Sequence, residues 1–339
     1  MAKEIRNNKG PKPRTNRGKL RAKGKTTPGT HVPVLLQEVL ATLKPQPGEI
    51  VVDCTLGYGA HAVEFGRKIG PEGMLIGLDM DGGELAKTQR RIGKGGARKS
   101  FHHSNFSEIA EVLKTQQLDG CDIIFADLGV SSMQVDNADR GISDKNDGPL
   151  DMRMDKRLES TGADLLMTLS EEELSKALWE LSDEPDHARI AEWIVNQRRV
   201  TPITQVSQLV RLVFNSKGIT ERTWQKQQKT SRFGSLHPAA RTFQALRILV
   251  NDEMKSLKTL LATAPSCLRK GGRIGIISFQ SGEDRLVKEA FSQGSADGSY
   301  EAISKDAIRP RTKEIVTNPR CSSARFRWAK TPVPIATGS

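Results

Sequence analysis

Over its first third the chain alternates short apolar runs with amphipathic stretches. Residues 49–54, 73–79 and 121–128 are near-continuous apolar runs, and 100–104 is a weaker one. Such runs, bounded by turn residues, mark strands covered on both faces. His31 to Leu43 places Val34, Leu35, Val39, Leu40 and Leu43 at helical spacing and stops at Pro45 and Gly48, which predicts a helix. The strand–helix alternation ends after Gly129. Residues 137–236 are polar, read as helical and carry Trp179, Trp193 and Trp224. Strand-like runs return at 272–279, weakly at 300–308, and at 323–329. The pattern predicts an α/β fold, a Rossmann-like doubly wound sheet built from 31–136 and 237–330. An all-helical insertion, 137–236, interrupts it and faces the carboxyl edge of the strands. Residues 1–30 and 331–339 are left as tails, and no internal repeat is present.

The chemistry starts at the end of the first strand, Val51-Val52-Asp53-Cys54-Thr55-Leu56-Gly57-Tyr58-Gly59-Ala60-His61. Two glycines there permit a tight turn that brings backbone close to a ligand. The second strand ends on Asp79, where a carboxylate can accept hydrogen bonds from ribose hydroxyls. A dinucleotide site wants a third glycine, because pyrophosphate needs bare backbone at a helix N-terminus. Here that position is Ala62, and Asp53 lies four residues before Gly57, an anion where phosphate is unwelcome. A cationic, phosphate-free cofactor such as S-adenosylmethionine suits the carboxylate. The same segment is also compatible with a generic strand–turn–helix of another α/β protein.

Charge changes the picture only at the N-terminus. The 339 residues carry 52 Lys and Arg against 40 Asp and Glu, a net charge of +12. Ten of those cations and a single acid, Glu4, fall within residues 1–30. This Pro/Gly/Asn-containing segment cannot bury a core and is expected to be disordered. It suits a polyanion such as RNA, or serves as a solubilising extension. No run approaches the ~20 apolar residues needed to span a bilayer, and no apolar segment typical of secretion follows the N-terminus. Cys54, Cys121, Cys267 and Cys321 are far apart with no Cys-x-x-Cys pair, as expected for reduced thiols in a cytoplasmic protein without a metal site.

Four further segments decide the class. They are Asp127-Leu128-Gly129-Val130-Ser131-Ser132-Met133-Gln134-Val135-Asp136, and Asn146-Asp147-Gly148-Pro149-Leu150-Asp151-Met152-Arg153-Met154-Asp155. The others are His237-Pro238-Ala239-Ala240-Arg241-Thr242-Phe243-Gln244-Ala245-Leu246-Arg247, and Ile277-Ser278-Phe279-Gln280-Ser281-Gly282-Glu283-Asp284-Arg285. With His31-Val32-Pro33-Val34-Leu35-Leu36 and the glycine turn, they closely resemble the RsmH (MraW) family, from His31 to about Ala329. The Asp-Gly-Pro-Leu-Asp-Met-Arg-Met-Asp block is the most specific part of the match.

The resemblance implies a class I methyltransferase sheet with a helical insertion. It also implies S-adenosylmethionine as cofactor and N4-methylation of a cytidine in small-subunit (16S) ribosomal RNA, as naked RNA or in an assembled subunit. On matching motifs it places the cofactor at Gly57, Gly59, Ala60, His61, Asp79, Phe106, Asp127 and Gln134. Core packing is the alternative for Phe106, a solvent-facing loop amide for Gln134, and a satisfied helix-start histidine for His61. Cytosine's amine is a poor nucleophile, because its lone pair is delocalised into the ring. It needs a nearby proton acceptor, and Asp127 is the candidate. Arg153, Arg241 and Arg247 are candidates for RNA contact, with internal ion pairs, one of them to Asp151, as the alternative. Arg309 and Arg325 are weaker candidates.

Three positions depart from the family pattern. Ala60 replaces a glycine, Gln280 replaces a histidine, and Gly282 replaces a leucine. Gln280 cannot titrate near neutrality. A divergent paralogue acting on another RNA therefore stays open. So does a catalytically weak RNA-binding assembly factor, and so does the choice between monomer and homodimer.

Overall fold

A computed structural model of the chain describes residues 33–93, 95–230 and 236–333. The expected basic tail, His31, and most of 331–339 lie outside the described residues. Seven strands form one sheet: β1 Ile50–Asp53, β2 Met74–Asp79, β3 Arg98–His103, β4 Cys121–Asp127, β5 Leu268–Ser278, β6 Ala302–Ile303 and β7 Arg325–Lys330. Their order is β3-β2-β1-β4-β5-β7-β6, with β1 to β5 parallel and β7 antiparallel to both neighbours. The chain runs outward from β1 to β3, then returns to place β4 on the other side of β1. The crevice at the carboxyl ends of β1 and β4 is therefore the switch point where such sheets bind ligands.

Period-two alternation sends neighbouring side chains to opposite faces. Val52, Ile76, Ile124 and Ile276 pack on one face beneath the helices Glu253–Cys267 and Ser281–Ala296. Val51, Leu75, Ile123, Phe125 and Ile277 pack on the other with Phe65 and Ile69 of the helix Ala60–Ile69. Both faces are covered, and this is why the strand sequences read as unbroken apolar runs.

A third core belongs to the helices Gly162–Thr168, Glu171–Ser182, His187–Val200 and Val206–Ser216. It also takes in Phe243, Leu246 and Val250 of the helix Ala240–Val250, beyond the boundary at residue 236 read from the sequence. The segment read as helical from 137 differs further: apart from the turn Ala138–Arg140, no helix begins before Gly162. Residues 141–161 are instead held by specific bonds. Arg140 donates to the carbonyls of Arg153 and Met154, 3.1 Å each. Leu150 N–H donates to Thr204 O at 2.8 Å, and Gly162 N–H to Asp151 O at 2.7 Å. The motif 147–155 thus stitches the helical unit to the sheet. The first helix also starts later than expected, at Leu36, because Leu35 takes a left-handed φ of 54°.

Candidate active site

After β1 the chain turns through Gly57 and Gly59, whose φ values are 46° and 78°, into the helix Ala60–Ile69. Asp79 at the end of β2 holds this turn. Its Oδ2 accepts from Gly57 N–H at 2.7 Å and its Oδ1 from Asp81 N–H at 2.8 Å. Ala60 is the first helical residue and carries no positive φ, so its methyl replaces a glycine without strain. Gly59 has no such latitude. A Cβ there would lie 2.7 Å from Thr88 Cγ2 and 2.8 Å from Ile92 Cδ1. Left-handed strain and overpacking together are expected to make Gly59→Ala about 2–4 kcal/mol less stable. The substitution also displaces the turn from its ligand. Denaturant unfolding and cofactor calorimetry check both effects.

The second wall comes from the end of β4. Asp127 N–H donates to Thr55 Oγ1 at 2.6 Å, tying β4 to the β1 turn. Asp127 Oδ1 is buried and has no hydrogen-bond partner, while Oδ2 lies 3.9 Å from His61 Nδ1. His61 packs its ring on Phe125 and places Nε2 2.9 Å from Val34 O. A carbonyl only accepts, so Nε2 carries the proton. Gln134 is buried rather than solvent-facing. Its Oε1 accepts from Ser131 N–H at 3.0 Å and its Nε2 approaches Asp81 at 3.4 Å. Phe106 starts a 3-10 turn capped by Asn105 and also packs against the sheet core.

The third wall comes from the insertion side. Arg247 pairs with Glu253 through two bonds of 2.7 and 3.0 Å. Asn251 accepts from Met154 N–H at 2.7 Å and donates to Met152 O at 2.8 Å. Glu283 accepts from the N–H groups of Phe279 and Gln280. All eight expected cofactor residues, with Arg247, Asn251, Gln280 and Glu283, line one cleft of about 710 Å³. Sequence reasoning missed Asn251, Glu283, Thr55 and Arg140. Arg140 reaches across from the loop after β4 to form a buried ion pair with Asp81.

The cleft is electrostatically unusual. Burial pushes the Asp127 carboxyl up to about 8, with repulsion from Asp53 and Glu283 adding to it. Burial likewise raises Asp53 and Glu283 to about 7 and Asp79 to about 6. Above their ordinary values of 3.8 to 4.5, the folded chain therefore holds more protons than the unfolded one. The stability these groups give is complete below that range and is lost as pH rises through about 6 to 8. The melting temperature is expected to fall between about pH 5.5 and pH 8.5, and a cationic ligand is expected to restore more of it at the higher pH. Thermal scans with and without cofactor test the order, and the reverse order contradicts the burial of these carboxyls.

The three arginines proposed for RNA do not form one surface. Arg153 is clamped on Asp151 by bonds of 2.7 and 3.0 Å and donates to Leu158 O. Arg247 is buried in the cleft wall. Arg241 is half-buried and donates to Asp183 O. Of the weaker candidates, Arg325 lies 3.9 Å from Asp284, and Arg309 is exposed.

The residues fit a cationic nucleoside cofactor. An orphaned buried carboxylate oxygen faces the cleft, a Cβ-free turn leaves room for close approach, and the surrounding carboxyls repel phosphate. The sheet order and this cleft define a class I S-adenosylmethionine-dependent methyltransferase. Comparison narrows the class: residues 29–332 match the MraW methylase family, and the chain belongs to it. Ribosomal RNA small subunit methyltransferase H 2 of Alkaliphilus metalliredigens is 39% identical over 315 residues, covering 91% of this chain and 87% of that protein. Ribosomal RNA small subunit methyltransferase H 1 of Lachnoclostridium phytofermentans is 40% identical over 311 residues, covering 91% and 83%. The Clostridioides difficile methyltransferase H is 38% identical over 315 residues, covering 88% and 98%. No helix among the described residues is long and apolar enough to cross a membrane.

Proposed function

We propose that this protein methylates N4 of a cytidine in small-subunit ribosomal RNA, in the cytoplasm, using S-adenosylmethionine. The observation that carries the reading is the Asp127 carboxyl: half-buried, with its buried Oδ1 unpartnered, and set in the cleft beside the glycine turn. Family membership and the names of the relatives supply the substrate class.

When bound, S-adenosylmethionine supplies an electrophilic methyl group. Asp79, Gly57, Gly59 and Ala60 would hold its nucleoside end, and Phe106 and Gln134, which line the same cleft, would complete the site. His61 donates to Val34 O, so its role is to anchor the turn and to border Asp127. Asp127 accepts the amine proton. Its pKa near 8 makes it a stronger base than an ordinary carboxylate, closer to what a poor nucleophile needs.

Cytosine can instead be methylated at C5, but that chemistry needs a thiolate to attack the ring. Cys54 lines the cleft, yet burial and the neighbouring Asp53 hold its thiol well above the usual range. An acceptor without an available thiolate favours the exocyclic amine. For RNA docking, Arg241 and the exposed Trp179 and Trp193 on the helical unit are the best-placed groups for phosphate contact and base stacking. Arg153 and Arg247 serve as internal struts.

Labelled methyl transfer to isolated ribosomal subunits tests the reading. Label is expected on small subunits from cells lacking this gene and not on large subunits. Label on large subunits or on neither contradicts it.

A further inference from the structure

The third wall of the cleft ends in an amide whose orientation is set from outside. Gln244 Nε2 lies 3.2 Å from the Leu181 carbonyl oxygen and 2.8 Å from Gln280 Oε1. A backbone carbonyl can only accept, so Leu181 determines which end of the Gln244 amide is nitrogen. That NH2 in turn faces the oxygen of Gln280, because two NH2 groups cannot donate to each other. The Gln280 NH2 is left turned away from Gln244, on a residue that lines the cleft, with no bonding partner among the described residues. Of the other amides that line the cleft, Asn251 is committed to Met152 O and Arg247 O, and Gln134 to Asp81.

Gln280 and Asp127 also line the same cleft. β4 pairs with β5 so that Asp127 is opposite Ile277, three residues before Gln280. An acid and an amide donor therefore reach one cleft from adjacent strands, Asp127 at the end of β4 and Gln280 two residues past the end of β5. That juxtaposition matches the Watson–Crick edge of an amino base, where an exocyclic amine adjoins a ring nitrogen acceptor. In uracil and guanine the corresponding ring nitrogen carries a hydrogen and would meet the amide NH2 donor to donor.

Resting on the cytidine N4 reading above, we infer that Gln280 is a specificity-determining residue, its amide NH2 donating to N3 of the target cytosine while Asp127 takes the amine proton. Gln244 is the positioning residue that points it. Since an amide does not titrate near neutrality, this recognition is independent of pH, unlike recognition by a histidine at the same place.

Gln280→Glu tests the inference with little change of shape, keeping an acceptor for Gln244 and replacing the donor with a carboxylate oxygen, whose added charge acts in the cleft whichever base is bound. Single-turnover methylation is compared on small subunits reconstituted with RNA carrying cytidine or 3-deazacytidine, which has C–H in place of N3, at the target. On cytidine the variant is expected to be roughly 10–100-fold slower than wild type, the effect of leaving one buried polar partner unmatched. On 3-deazacytidine the variant's penalty is expected to shrink to less than about threefold, since the partner atom is already gone. Differences in intrinsic reactivity between the two bases cancel in this cycle. Calorimetry with S-adenosylhomocysteine reports whether the variant is folded, and Gln280→Met supplies the same comparison if it is not. Equal penalties on both bases overturn the assignment of Gln280. Failure of wild type to methylate the cytidine substrate would instead overturn the N4 reading itself.

Discussion

Asp127→Asn is expected to lower kcat by about 10²- to 10³-fold while leaving the fold intact, since a positioned proton acceptor contributes on that order. Asn keeps the shape and the N–H bond to Thr55 Oγ1 but cannot take a proton. The wild-type rate should rise with pH as the Asp127 carboxyl ionises, levelling above about 8. The variant's residual rate should be flat across the same range. Stability should move the other way. Asp127 holds a buried, unpartnered Oδ1, so removing its ionisation relieves the folded state at alkaline pH. A variant that is slower yet at least as stable at about pH 8.5 is the signature of strain kept for function. An unchanged turnover rate sinks the proton-acceptor role.

The second large effect is expected at Asp79. Its two oxygens each hold a backbone N–H, one in the glycine turn and one at the start of the next helix. Asp79→Ala leaves both donors unmatched and removes the acceptor proposed for the ribose hydroxyls. Losing interactions of this kind, at about 1–3 kcal/mol each, predicts at least a 100-fold weaker affinity for S-adenosylhomocysteine. Asp79→Asn retains one accepting oxygen and should fall between Ala and wild type. Calorimetry of the three proteins gives the order directly. Equal affinities would show that the turn, not the carboxylate, carries cofactor binding.

What was legible in the sequence follows from burial. β1, β2 and β4 are covered on both faces, so Ile50–Asp53, Met74–Asp79 and Cys121–Asp127 read as apolar runs. β3, Arg-Lys-Ser-Phe-His-His, is only partly buried and gave a weaker signal. β5 begins at Leu268, four residues earlier than expected, because Arg269 and Lys270 are exposed along its first part. The glycine turn, Asp79 and Asp127 were legible because strand ends in an open sheet point at its ligand. Residues 141–161 were not, because side-chain bonds such as Asn251 to Met154 hold them and no periodicity records that.

The cleft's third wall was hidden for a related reason. Asn251 and Gln244 sit on or beside a helix whose pattern reads as core, and folding brings that helix to strand ends more than a hundred residues away. Arg153 and Arg247 show the converse. Composition offers them as cations for RNA, whereas the fold places Asp151 and Glu253 against them.

One measurement bears most directly on the central claim: nucleoside mass spectrometry of small-subunit RNA after reaction with the purified protein and S-adenosylmethionine, using subunits from cells lacking this gene. N4-methylcytidine at a single position is the expected product. C5-methylcytidine would contradict the roles given to Asp127 and Cys54, and no modified nucleoside despite measurable cofactor binding would contradict the proposed substrate.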